Sequence, residues 1–216
     1  AVADMAYWQD LLALAERHDF MVFADECYSE IWKDAPPPGA LEAQAAAGTD
    51  PERLAVFHSL SKRSNLPGLR SGFVAAGPQA TARLRQLRNY AGAPLPLPLQ
   101  AVAAKVWADE AHVEENRRLY AEKYAAADRI LGNVPGYRSP AAGFFLWLPV
   151  PQAIGDGEAA ALKLWRETGV RVLPGAYLGR DAGQGNPGDG YVRVAMVAPA
   201  DEMTDGLTRL RSCLYE

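Results

Sequence analysis

Metal and disulfide chemistry have little to work with here: two cysteines, Cys27 and Cys213, and three histidines, His18, His58 and His112, are spread over 216 residues. The cysteines lie far apart and fit no metal-ligand spacing, so they read as two free thiols in a reducing cytosol, with no metal site. Dense blocks of lysine and arginine are absent too. With a formal net charge of −4, neither nucleic acid nor an anionic membrane is an expected partner. The opening segment AVADMAYWQDLLALAE has no basic stretch and no uninterrupted apolar run, so the segment itself is expected to be neither a signal peptide nor a membrane helix. It also lacks an initiator methionine and enters an amphipathic pattern almost at once, so further chain is expected before it.

What is there is ordinary globular composition, 49% hydrophobic and 22% charged, in a length that permits one large domain or two small ones. Trp8, Leu11, Leu12 and Ala15 recur at helical spacing and predict a helix over residues 4–18 with one apolar face. The run Phe20–Ala24 that follows is wholly apolar and predicts a strand buried on both faces, as in a parallel sheet. Residues 54–58 and 72–76 read as two further buried strands, and the proline- and glycine-bearing stretch 35–50 as a loop with a short Ala-rich helical turn. From Pro78 to about Gly132 the pattern is mostly helical, interrupted where Pro94, Pro96 and Pro98 forbid a continuous helix. Beyond it come strand-like segments at 143–148, 170–173 and 191–197, a helix over 158–167, and a last helix with Met203, Leu207, Leu210 and Leu214 on one face. The change of character near residues 132–137 divides the chain into 1–132 and 133–216, an α/β sheet unit with connecting helices and a smaller α+β unit.

Four short segments draw the chemistry together. Asp25-Glu26-Cys27-Tyr28 closes the first strand. Ser59-Leu60-Ser61-Lys62 closes the second, Pro67-Gly68-Leu69-Arg70 follows it, and Arg193 lies in the strand beginning at Tyr191. Polar loops at strand ends are where α/β sheets place their ligands. Taken singly, each residue also has a plain structural reading. Asp25 could cap the following helix, Lys62 could be a solvated lysine, and Ser59 and Ser61 ordinary loop hydroxyls. Tyr28 could be a packed aromatic, and Arg193 could face solvent from a half-buried strand.

Together, in this order and spacing, the segments resemble the class I/II aminotransferases of the fold-type I superfamily that uses pyridoxal phosphate (PLP), and specifically the later half of such a protein. Leu173-Pro174-Gly175-Ala176-Tyr177-Leu178-Gly179 fits the same family. The stretch from Ser59 to Gly72 is most similar to the N-succinyldiaminopimelate aminotransferases of lysine synthesis. The resemblance implies a fold-type I architecture, with part of the large-domain sheet followed by the small C-terminal domain. It further implies a cytoplasmic homodimer that moves an amino group between an amino acid and a 2-oxo acid. Lys62 would hold the cofactor as a Schiff base and shuttle the proton at the substrate Cα. Asp25 would face the pyridine nitrogen and keep it protonated, since an opposite charge favours the charged form. Tyr28 would bond the phenolic oxygen, and Ser59, Ser61 and Arg70 would bind the phosphate. Arg193 would clamp the substrate carboxylate. Arg63 and Arg70 are the cations expected to favour a neutral lysine amine.

The family's earlier half, with its phosphate-gripping helix N-terminus and its ring-stacking aromatic, has no counterpart in this sequence. A truncated non-catalytic fragment therefore stays as an alternative, and so does a PLP-dependent β-lyase or decarboxylase on the same scaffold, since the same lysine and aspartate would serve those reactions. The Gly-rich stretch 183–190 reads as a plain loop, Phe144, Phe145 and Trp147 as core, and Glu114-Glu115 with Arg117-Arg118 as a solvated helix face.

Overall fold

A computed structural model describes residues 2–181 and 183–216. The chain divides into two compact units, Ala1–Arg118 with Ala141–Gly143, and Leu119–Pro140 with Phe144–Glu216.

The first unit starts with helix α1 (Met5–His18), whose N-terminus is capped by Asp4, its carboxylate accepting the Tyr7 N–H at 2.8 Å. The apolar spacing works as expected: Leu12 and Ala15 are buried, with Trp8 and Leu11 packed beside them. Strand β1 (Val22–Asp25), helix α2 (Ala40–Ala47) and strand β2 (Leu54–Ser59) then form a β–α–β unit in which β1 and β2 pair in parallel, Val22 opposite Leu54 and Asp25 opposite Phe57. Leu12, Ala15, Val22, Ala24, Ala40, Ala43, Leu54 and Val56 make one core between the sheet and helices α1 and α2.

β2 leads into the single helical turn α3 (Leu60–Arg63), and strand β3 (Gly72–Ala76) returns antiparallel to it in the order β1-β2-β3. The expectation of strands buried on both faces holds for β2, where Leu54, Ala55 and Val56 are all buried, but not for β1 or β3. In β1 burial alternates, with Val22 and Ala24 inside and Phe23 64% exposed, because helices cover one face of the sheet there. Helices α4 (Pro78–Tyr90), α5 (Leu97–Trp107) and α6 (Ala111–Leu131) follow, the break between α4 and α5 holding Pro94 and Pro96, with Pro98 in the first turn of α5, where a missing N–H is tolerated. The packing division runs inside α6, at Arg118/Leu119. Composition changes where the helix ends, whereas packing changes where its neighbours change.

In the second unit, strands β4 (Phe145–Pro149), β5 (Leu173–Pro174) and β6 (Tyr191–Ala195) form an antiparallel sheet in the order β4-β6-β5. Val170–Leu173 is thus mostly not strand, only Leu173 being paired, because Arg193 and Val192 meet just Leu173 and Pro174. Leu146, Leu148, Val192 and Val194 are buried, as are Ala160 and Leu164 of α7 (Gly157–Thr168) and the four expected residues of α8 (Ala200–Tyr215). No helix among the described residues is long and apolar enough to cross a membrane.

Gly72 sits opposite Ser59, where a Cβ would run into the backbone oxygen of His58. Relief needs backbone movement in the strand pair itself, so Gly72→Ala is expected to lower stability by about 1–3 kcal/mol, read from urea denaturation. An unchanged denaturation midpoint would contradict the close approach.

Candidate functional site

β1 and β2 run parallel and end side by side, so the segments after them emerge at the same sheet edge. Glu26 continues the pairing by donating its N–H to the Phe57 carbonyl at 3.0 Å. The chain then turns, with Ser29 and Ile31 N–H groups donating to the Glu26 and Tyr28 carbonyls. Asp25 is exposed at this edge and accepts the Cys27 N–H at 3.1 Å. The helix-capping role that Asp25 alone could have filled belongs to its neighbour. Glu26 accepts the Ala40 N–H at 2.7 Å at the start of α2 and lies 3.6 Å from His58 Nε2.

Ser59 ends β2 and caps α3. Its Oγ accepts the Ser61 N–H at 3.1 Å, and the Ser59 hydroxyl lies within donating distance of Ser61 Oγ at 3.0 Å and the Ser71 carbonyl at 3.4 Å. Lys62 is half-buried on this turn, its Nζ 5.9 Å from the centre of the Tyr28 ring. Arg70 adopts the left-handed conformation (φ 54°), which is sterically costly for a side chain with a Cβ, and its guanidinium donates to the Pro67 carbonyl at 3.0 Å. Ser59, Ser61 and Arg70 line a common cavity of about 480 Å³ with Cys27, His58 and Gly72. Asp25, Tyr28 and Lys62 are outside that lining. Cys27 links the two groups, because it borders the cavity and also feels both the Asp25 carboxylate and the Lys62 ammonium.

Arg63 does not serve as a cation beside the lysine amine. It is buried and turned to the end of α5, donating to the Val106 and Trp107 carbonyls at 3.2 and 3.4 Å, pairing with Glu110 and stacking 5.0 Å from the Trp107 ring. The carbonyl end of a helix carries partial negative charge, which suits a guanidinium. Sequence reading also missed Cys27, His58 and Arg88 as cavity residues. For Cys27 the signal was present, inside the Asp25–Tyr28 segment; for Arg88, on α4, no local pattern pointed there.

In the second unit, Arg193 lies opposite Trp147 on β4 and Leu173 on β5, half-buried, its guanidinium carbon 4.1 Å from the Phe145 ring centre. Trp147, expected in the core, is 42% exposed on this same sheet face, whereas Phe144 is buried as expected. The other described arginines withdrawn from solvent each meet a carboxylate: Arg53 with Asp19, Arg63 with Glu110, Arg117 with Glu30, and Arg211 with Glu216. Among the described residues, no carboxylate lies within ion-pair distance of Arg193. The Arg117 pairing, with Trp32 4.8 Å from its guanidinium, also corrects the expectation that this part of α6 is merely solvated.

The sequence profile of the family described as Aminotransferase class I and II matches residues 1–210. A solved aminotransferase structure from Neisseria meningitidis is 42% identical, with a TM-score of 0.92 over 98% of this chain and 54% of that one. A 4-dedimethylamino-4-oxo-anhydrotetracycline transaminase of Streptomyces rimosus is 33% identical over 94% of this chain and 54% of its own length. The structure of a probable N-succinyldiaminopimelate aminotransferase from Thermus thermophilus is 28% identical, with a TM-score of 0.85 over 99% of this chain and 55% of that one. The chain thus spans about half the length of the relatives it matches.

The Cys27 thiol is pushed up to about 12, first by burial and then by the hydrogen bond and charge of Asp25, with Lys62 acting in the opposite sense. At pH 8 its thiolate fraction is then smaller than an ordinary thiol's, and alkylation by iodoacetamide is expected to be about a hundredfold slower or more. Asp25→Asn removes the charge that disfavours the thiolate and should speed it. Rapid alkylation of the unaltered chain at pH 8, mapped to Cys27, would contradict the placement. Arg63→Ala, which takes a donor from Glu110 and from the Val106 and Trp107 carbonyls, is expected to cost about 2–3 kcal/mol in denaturant melts.

Proposed function

This chain belongs to the class I and II aminotransferase family, and on that premise we propose that the protein carrying it moves an amino group between an amino acid and a 2-oxo acid, with PLP as cofactor. The observation that carries the reading is the convergence of Ser59, Ser61 and Arg70 on one cavity at the end of β2, on the segment that bears Lys62. That donor set suits the cofactor: hydroxyls and a guanidinium for a phosphate, an amine for an aldehyde, and a carboxylate at the neighbouring strand end for a protonated ring nitrogen.

When bound, PLP would act as the electron sink that makes the substrate Cα proton removable. Lys62 Nζ would hold the cofactor and, once displaced by substrate, carry the proton to and from Cα. Asp25 would stabilise the charge on the ring nitrogen, and Tyr28 would donate to the phenolic oxygen. For the phosphate, Ser61 and Arg70 are the freer donors, because the Ser59 hydroxyl already faces Ser61 Oγ and the Ser71 carbonyl. Arg193 would receive the substrate carboxylate. A half-buried guanidinium without an acid beside it among the described residues is suited to a partner arriving from solvent. In the same reading residues 1–132 are the later part of the cofactor-binding domain and 133–216 the small domain.

The likeness to the Thermus protein supports the finer reading, an N-succinyldiaminopimelate aminotransferase of lysine synthesis. The homodimer belongs to the family habit. A cytoplasmic setting fits the two free thiols, Cys27 and Cys213.

Incubation with PLP, borohydride reduction and peptide mapping should place the label on Lys62 and lose it in Lys62→Ala. Equal labelling of that variant would leave only nonspecific aldehyde chemistry. In the active protein Arg193→Ala should lower kcat/KM by about a hundredfold, the worth of a bidentate charged pair. Pyruvate and ammonia formed without a 2-oxo acid acceptor would replace the transaminase reading with a β-lyase.

A further inference from the structure

The three residues after Lys62 are all fastened to one stretch of chain, residues 106–116. Arg63 reaches the Val106 and Trp107 carbonyls and Glu110. Ser64 Oγ lies 2.8 Å from His112 Nε2, and the Asn65 side-chain amide donates to Asn116 Oδ1 at 2.9 Å. His112 is in turn oriented by Asp109, whose Oδ2 is 3.0 Å from Nδ1, while the other Asp109 oxygen accepts the Ala111 N–H at 3.0 Å at the start of α6. A carboxylate only accepts, so Nδ1 bears a proton toward Asp109, and with that as the one ring proton Nε2 accepts from the Ser64 hydroxyl. The hydrogen bond from His112 holds the Asp109 carboxyl below the usual range, consistent with that direction.

Serine, histidine and aspartate in this order have the connectivity of a nucleophilic triad. The surroundings do not: Ser64 is only 9% exposed, Arg63 also donates to its oxygen at 3.4 Å, and neither Ser64 nor His112 borders the cavity at the end of β2. A buried hydroxyl donating to a ring that is itself fixed to a helix start is a tether. It holds a short turn whose exit is closed by the Ser64 and Leu66 N–H groups donating to the Leu60 carbonyl.

We infer that His112 is a positioning residue for Lys62, acting through Ser64: the Asp109–His112–Ser64 relay holds the lysine turn in register with the start of α6. This rests on Lys62 being the functional lysine, but its test does not need the cofactor. The intact chain is treated with trinitrobenzenesulfonate, a plain amine reagent, and the rate at Lys62 is followed by peptide mapping in the unaltered protein, Ser64→Ala, His112→Ala and the double variant. Hydrogen exchange over residues 60–66 is measured in parallel, below the melting range of the least stable variant.

Each single variant should change the Lys62 rate about tenfold and speed exchange across the turn, and the double variant should be no worse than either single, because both remove one link. Imidazole should restore His112→Ala toward the original rate, since the His112 side chain is 31% exposed and its site can be refilled. A merely structural role would lower the melting temperature, leave the Lys62 rate unchanged and give no imidazole rescue; that result overturns the inference. Additive effects of the two single variants would overturn it as well, as would labelling of Ser64 by a fluorophosphonate. If the amine reagent responds as expected and PLP does not label Lys62, the tether stands and the aminotransferase reading is what fails.

Discussion

The Lys62 turn depends on where the guanidinium of Arg63 goes. A buried arginine is tolerated only when its donors are satisfied, and the end of α5 with the link after it offers what is needed: two carbonyls at the negative end of a helix, the face of Trp107, and the carboxylate of Glu110. Once that side chain is fixed, the adjoining backbone is fixed with it. Ser59 does the corresponding work on the other flank of Lys62 by capping the same turn. A four-residue helix has almost no intrinsic stability, since nucleation fixes several dihedrals for very few hydrogen bonds. Both ends of α3 are therefore held by side chains, and its conformation is imposed by tertiary contacts.

The sheet brings the remaining groups within reach. Parallel pairing of β1 with β2, in a register that sets Asp25 against Phe57, makes the two chains leave the sheet at one edge. Residues more than thirty positions apart, Asp25 and Cys27 on one side and Ser59 and Lys62 on the other, are neighbours for that reason. Gly72 completes the arrangement from the antiparallel side, where the absence of a Cβ lets β3 lie close against the His58 carbonyl.

How much of this was legible in the sequence follows from how local each cause is. The helix at 5–18, the buried β2 and the apolar face of α8 follow from periodicity, and the structure has them. The family was legible too, because motifs in register carry information that no single residue has. The partners of Arg63, Ser64 and Asn65 were not, since they lie on α5, α6 and the link between them, far along the chain, and no local pattern encodes which faces those helices present. The same holds for Phe23 and Trp147: both sit in apolar runs that read as core, yet whether a second layer covers a sheet face is decided by other elements. The capping alternative open to Asp25 falls one position later for a similar reason. Asp25 and Glu26 are equally able to accept a helix N–H, and only the direction in which the chain leaves β1 selects Glu26.

Arg193 completes the contrast with Arg63. Both guanidiniums are drawn out of solvent and both rest near an aromatic ring, at 4.1 Å from Phe145 and 5.0 Å from Trp107. Arg63 has an acid and two carbonyls in addition, so its donors are spoken for and its role is to hold the fold. Arg193 has the ring but, among the described residues, no acid. A ring attracts a cation by its quadrupole, yet it accepts no strong in-plane hydrogen bond, so the donor edge of the guanidinium retains its affinity for a planar anion. Partial burial lowers the screening by water and strengthens whatever pair forms there. On the proposed reading the same side-chain type would serve as an anchor in one unit and as a receptor in the other, the difference being whether the chain supplies the anion itself.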